Sequence, residues 1–111
     1  MRTFRLALIQ MNSAVGDLEE NTRKILVSMD AVRSLDIDLV AFPEMAITGY
    51  PAEDLIYKTS FLKGNEKAME RIVGASKGMA VVVGYVDARQ GIYNSAAVGF
   101  NGQLVDIYHK M

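Results

Sequence analysis

The spacing of apolar positions changes several times along the chain, and each change marks an element. Residues 4–11 (FRLALIQM) are rich in apolar side chains and read as a buried strand. A loop, NSAVGD, follows over 12–17. Its last residue, Asp17, is a good helix N-cap, and Glu19 and Glu20 then stand where the helix dipole favours negative charge. Leu18, Ile25, Leu26, Met29, Val32 and Leu35 recur at helical spacing and predict an amphipathic helix over 18–35. The opposite face of that helix, with Glu20, Arg23, Lys24, Asp30 and Arg33, reads as solvated. Residues 38–42 (DLVAF) form a second buried strand, which Pro43 ends, and 44–51 (EMAITGYP) form a loop. Pro51 fits the first turn of a short helix with Glu53 and Asp54 near its positive end. A second amphipathic helix is predicted over 60–77, with Leu62, Met69, Ile72 and Val73 on one side and Lys63, Glu66, Lys67 and Glu70 on the other, stopped by Gly78. Residues 79–86 (MAVVVGYV) are a third strand. The strands 94–100 and 103–109 flank Asn101-Gly102, a strong signal for a two-residue hairpin.

The order is thus β-α-β-(α)-α-β-β-β. A strand, a helix and a strand within about 40 residues make a βαβ unit, which places the chain in the α/β class with parallel strands and a right-handed crossover. The last strand runs into Tyr108-His109-Lys110-Met111 with no closing element, so a sheet edge or face is left uncovered. The expectation is the front part of something longer. Half of the 111 residues are hydrophobic and 23% are charged, the balance of one folded domain with a real core. Residues 1–57 hold 5 basic and 9 acidic groups and residues 58–111 hold 7 and 4, so neither half offers a nucleic-acid surface. The absence of cysteine excludes disulfides, thiolate metal sites and a cysteine nucleophile within these residues, and fits a cytoplasmic location. The opening MRTFR lacks the apolar core of a signal peptide, and no apolar run approaches the 18 or so residues of a membrane span.

Glu44 stands just past the carboxyl end of a parallel strand, where open α/β sheets place ligands. Phe42, Met45 and Ile47 make its surroundings apolar, so desolvation is expected to raise its pKa and suit it to general-base work. Position alone favours the plainer alternative, a solvated loop glutamate. Lys110, at the end of the last strand, alternates away from the face of Val105 and Ile107 and could steady an oxyanion; by itself it reads as a tail lysine in water. Tyr50, between Gly49 and Pro51, is turn chemistry. His109, the single histidine, falls with Val105 and Ile107 and reads as packed and hydrogen-bonded rather than as a metal ligand. The methionines, Met29 and Met69 among them, read as core filler. Phosphate-binding glycine loops and the G-x-S-x-G nucleophile turn are absent.

Taken together, Leu6–Gln10 (LALIQ), Val15-Gly16-Asp17 with Asn21, the DLVAFPE of residues 38–44, Thr48-Gly49-Tyr50 and Tyr108-His109-Lys110 resemble the N-terminal part of a nitrilase-superfamily carbon–nitrogen hydrolase. The likeness runs from about Phe4 to Met111, and the FPE block followed by TGY weighs most in it. Within the superfamily, FPEMAITGYPAEDL and then Ser60-Phe61-Leu62 resemble the glutaminase domain of glutamine-dependent NAD synthetases.

The resemblance implies the N-terminal half of a nitrilase-like αββα sandwich, β-α-β-α-β-β-β in order, with residues 1–111 as the front of a glutaminase domain whose remainder, and any synthetase domain, lies outside them. It implies a Glu-Lys-Cys triad: Glu44 as general base, Lys110 as the cation beside the tetrahedral intermediate, Tyr50 lining the glutamine pocket, and a cysteine further along. The chain by itself is then expected to be inactive. Glutamine, and deamido-NAD in the whole protein, are the implied small-molecule substrates. ATP and magnesium would serve the synthetase domain, no cofactor is implied for this segment, and a homo-oligomer with neither nucleic-acid nor membrane partner is implied. Two alternatives stay open. One is another branch, such as an amidase, a nitrilase or an N-carbamoyl amino acid hydrolase. The other is a non-catalytic assembly module, motivated by the missing nucleophile and the exposed sheet.

Overall fold

The computed structural model describes residues 3–49 and 58–110. Seven elements follow one another: β1 (Leu6–Leu8), α1 (Leu18–Arg33), β2 (Leu39–Ala41), α2 (Thr59–Gly74), β3 (Ala80–Asp87), β4 (Tyr93–Phe100) and β5 (Gln103–His109). The strands form one five-stranded sheet in the order β1-β2-β3-β4-β5. The β1–β2 and β2–β3 pairs are parallel, each joined through a helix, and the β3–β4 and β4–β5 pairs are antiparallel. This is the α/β arrangement expected, a five-stranded mixed sheet with two helices.

Both helices contribute to one core. Ile25 and Met29 of α1 and Ala68, Met69, Ile72 and Val73 of α2 pack with Val40, Val81, Val83, Tyr85 and Ala97 of the sheet. Asp17 caps α1 as its sequence position predicts, its carboxylate accepting from the Glu20 N–H at 3.1 Å. Asn101 and Gly102 both have positive φ, 53° and 85°, the geometry that the β4–β5 hairpin requires. The other face of the sheet is apolar and, among the described residues, uncovered: Leu6, Leu8, Phe100 and Tyr108 are exposed along it.

Several predicted boundaries shorten. The first strand spans Leu6–Leu8 rather than 4–11, because it lies at the sheet edge with β2 as its one partner, and β2 itself spans Leu39–Ala41. Single bonds continue the ladder on either side, from Ile9 N–H to Ala41 O and from Asp38 N–H to Arg5 O, both 2.9 Å. The second helix ends at Gly74 rather than 77. There the Ser76 hydroxyl donates to Val73 O, and the Arg33 guanidinium takes Ala75 O and Lys77 O, so the last carbonyls are satisfied by a turn. A register shift at Val98/Gly99 leaves Val105 opposite no residue and 62% exposed, so it does not share the half-buried face of Ile107 and His109 as simple alternation suggests. The short helix expected at Pro51 lies outside the described residues.

Two loops at the carboxyl ends of the parallel strands are fastened together by α1. The fully buried Asn21 donates to Ala14 O at 2.8 Å and Ile47 O at 2.9 Å and accepts from Ala14 N–H at 2.8 Å. The Ser13 hydroxyl donates to Ala46 O, and Gly16 N–H donates to Thr48 O. Replacing Asn21 with Ala gains at most about 0.7 kcal/mol of helix propensity and removes the partner of three backbone groups, the part-buried N–H and O of Ala14 and the buried Ile47 O. The expected result is a net loss of about 2–4 kcal/mol in urea denaturation. An unchanged midpoint would contradict the clamp.

Candidate active site

Glu44 is the one exposed residue of an otherwise buried segment. Met45, Ala46, Ile47, Thr48 and Gly49 are all buried behind it. Met45 takes a left-handed φ of 51°, which turns the chain directly after Glu44. The segment closes on itself through Gly49 N–H to Met45 O at 2.8 Å and leans on β3 through Ile47 N–H to Gly84 O at 3.3 Å. Gly84 makes that approach possible. A Cβ there would fall 2.5 Å from Met45 N and 2.7 Å from Pro43 O.

The second predicted residue arrives from the far end of the chain. Lys110 Nζ lies 2.6 Å from Glu44 Oε1 across 66 residues of sequence. Its backbone is held by Lys110 N–H donating to Asn94 O at 2.9 Å. Glu44 and Lys110 stand over an open cleft of about 320 Å³ lined also by Phe42, Gly84, Asn94 and Tyr108. This cleft lies on the open face of the sheet. Two of the three residues singled out by sequence are thus brought together, and Tyr50 lies outside the described residues.

The expected rise in the Glu44 pKa is not found. The Lys110 ammonium beside it holds the Glu44 carboxyl below its ordinary value, first by hydrogen bonding and then by charge, with the Asn94 side chain adding a smaller hydrogen bond. Desolvation acts in the predicted direction but loses, because both side chains are more than half exposed, at 62% and 58%. Glu44 is therefore ionised at neutral pH, the form a proton acceptor needs. Asn94 and Gly84 went unnoticed in the sequence. Their roles depend on the register that sets Gly84 opposite Ala96 and Val86 opposite Asn94.

On the helix-covered side of the same sheet end lies a second cluster. Asp87, at the end of β3, is 3% exposed. It accepts from Arg89 Nε at 3.0 Å, Arg89 Nη2 at 3.2 Å and Arg89 N–H at 3.2 Å, and pairs with His109 Nε2 at 2.6 Å. The His109 ring stacks on Tyr93, 4.3 Å between centroids and 5° from parallel. His109 is thus packed and hydrogen-bonded, as expected. Burial pushes the Asp87 carboxyl up, and the bonds from Arg89 and His109 outweigh it, holding it at about 2. Burial and the Asp87 charge push the neighbouring Tyr85 phenol up to about 12. Among the described residues no group of three metal-ligating side chains occurs, and no helix is long and apolar enough to cross a membrane.

The chain, with this sheet and this Glu44–Lys110 pair, can be set beside known proteins. The family model for carbon–nitrogen hydrolases matches residues 5–111, and the chain belongs to that family. It is 34% identical over 113 residues to the glutamine-dependent NAD(+) synthetase of Thermotoga maritima, covering 100% of this chain and 20% of that protein. The solved glutamine-dependent NAD+ synthetase of Acinetobacter baumannii, in complex with ADP, superposes with a TM-score of 0.88 at 35% identity, covering 96% of this chain and 20% of that one. An amidase from Nesterenkonia sp. superposes with a TM-score of 0.86 at 21% identity, covering 96% of this chain and 42% of that one, and so shares the fold. The chain spans about a fifth of the length of the curated relatives it matches.

Two outcomes follow from this geometry. Gly84→Ala forces the Pro43–Met45 backbone off β3, so it should cost about 1–3 kcal/mol and separate Glu44 from Lys110. Amide shifts confined to position 84 would contradict this. The folded Asp87 carboxyl lies below its unfolded value of about 3.9, so its contribution is present above that pH and lost as pH falls toward about 2. Urea denaturation across this range should show Asp87→Asn losing about 2 kcal/mol less than the parent chain. Parallel profiles would contradict the assignment.

Proposed function

We propose that this chain supplies two members of the glutamine-hydrolysing site of a glutamine-dependent NAD synthetase. The observation that carries the reading is the 2.6 Å pair of Glu44 and Lys110 over the open cleft. The named relatives and the FPE, TGY and YHK segments support it. Residues 1–111 are then the front of a glutaminase domain. The nucleophile, absent from a chain without cysteine, comes from another part of the protein.

In this reading a cysteine thiol gives its proton to the Glu44 carboxylate as its sulfur attacks the side-chain amide carbon of glutamine. The oxyanion that forms is steadied by the Lys110 ammonium. Glu44 returns the proton to the departing nitrogen, ammonia leaves, and a thioester remains. Glu44 then takes a proton from water, whose oxygen attacks the thioester carbon. The carbon–sulfur bond breaks, glutamate leaves, and Glu44 passes the proton to the departing sulfur to restore the thiol. Ammonia passes to a synthetase site that amidates an adenylate of deamido-NAD. Tyr50 lines the glutamine pocket. ATP and magnesium would serve the synthetase domain; the described residues include no phosphate-cradling glycine loop and no group of three metal-ligating side chains to hold them. The whole protein is a cytoplasmic homo-oligomer, and its partners are these small molecules.

The shared fold of the amidase keeps a second branch in view, because the acid–base chemistry is common and the pocket differs. A substrate panel on the complete gene product separates them. Glutamine is expected to be hydrolysed in preference to aliphatic amides, nitriles and N-carbamoyl amino acids. Glu44→Gln should lower ammonia release from glutamine by about a hundredfold or more. Near-normal turnover in that variant would remove Glu44 as the base. A preference for a nitrile or carbamoyl compound would move the chain to another branch.

A further inference from the structure

His109 and Lys110 are consecutive residues with opposite destinations. His109 lies across from Ser95 in the ladder and turns to the helix-covered side, where it meets Asp87. Lys110 turns to the open side, where it meets Glu44. Because the side-chain period of a strand is two, a slip of one residue would exchange them. Lys110 would then leave the cleft, and an imidazole would take its place.

The Asn101-Gly102 turn fixes the register where β5 begins, with Asn101 Oδ1 accepting from Gly78 N–H at 3.1 Å and Gly102 N–H donating to Ser76 Oγ at 3.0 Å. Past the irregularity at Val98/Gly99, little holds the far end of the strand. β5 is an edge strand, exposed from Gln103 to Asp106, and its pairing with β4 already shifts register at Val98/Gly99. Ile107 alone of its apolar residues packs against the main core, and only partly. The last turn of the strand is held instead from beneath. Asp87 of β3 reaches past β4 to His109 of β5 at 2.6 Å, and Tyr93 of β4 stacks under the same ring. Asp87 is itself fixed by burial and by its three bonds from Arg89. The clamp therefore spans three strands and closes one residue before Lys110.

We propose that Asp87 and His109, with Tyr93 as the stacking platform, are positioning residues that lock the register of β5 and so hold Lys110 against Glu44. The consequence for catalysis rests on the reading of Glu44 and Lys110 as the reacting pair.

The experiment is a carbon-detected titration of the glutamate carboxyls in the 111-residue chain. Glu20, whose carboxyl is held low by Arg23 on α1, serves as an internal control for general loosening. Lys110→Met is expected to bring Glu44 up to the ordinary glutamate range. His109→Phe keeps a ring for Tyr93 and removes the bond to Asp87; it should raise Glu44 by at least half of that change while Glu20 stays low. Asp87→Asn should act in the same direction. His109→Gln, whose amide can still donate to Asp87, should restore the low Glu44 value. Glu44 unmoved in His109→Phe, with Lys110→Met effective, overturns the lock and leaves the reacting pair standing. Glu44 and Glu20 rising together also overturns it, in favour of a plain stabilising contact. Glu44 unmoved in Lys110→Met removes the pair itself and, with it, both the reading and the lock.

Discussion

The seating of residues 43–49 on β3 is the constraint on which the site depends. Gly84 has no side chain, so the Pro43–Met45 backbone can lie directly against it. Once there, the segment buries Met45 through Gly49 and leaves Glu44 as its single outward residue. The tether to α1 through Asn21 and Ser13 works from the other side. A glutamate on a loose loop would lose much backbone freedom on engaging a ligand. Here the backbone on both sides of it is already fixed, so that entropic cost is largely met during folding.

Topology explains why residues 66 positions apart meet. β1, β2 and β3 run parallel, so their carboxyl ends share one side of the molecule. The β4 and β5 strands reverse twice, which returns the end of β5 to that same side. Glu44 follows β2 and Lys110 follows β5. Asn94, near the start of β4, lies between them and touches both, through its carbonyl to Lys110 and its side chain to Glu44. The open face of the sheet therefore carries the Glu44–Lys110 pair, and the helix-covered face carries the packing and the Asp87–His109 contact.

Much of this was legible in the sequence, for local reasons. Helix α1 was marked by its cap at Asp17 and its apolar spacing, and the β4–β5 hairpin by Asn101-Gly102, because both signals are short-range chemistry. Element ends were less legible: β1 stops where a single partner strand stops, and α2 stops where Arg33 and Ser76, from outside the helical pattern, satisfy its carbonyls. Glu44 and Lys110 stood out through family resemblance rather than through position, which read each as solvated. The direction of the Glu44 shift was misjudged because the apolar neighbours Met45 and Ile47 turn into the core while the carboxylate turns to the cleft. Gly84, Asn94 and Asp87 were invisible because each acts across the sheet, at a register that no local pattern encodes.

The most direct test of the account is the rate of acyl-enzyme formation. The complete gene product would be mixed with glutamine, quenched at short times and weighed by mass spectrometry. The account predicts a glutamyl thioester in the parent protein and a rate of its appearance reduced by about a hundredfold or more in both Glu44→Gln and Lys110→Met. A thioester that forms at the parent rate in either variant would contradict the claim that this pair carries the chemistry.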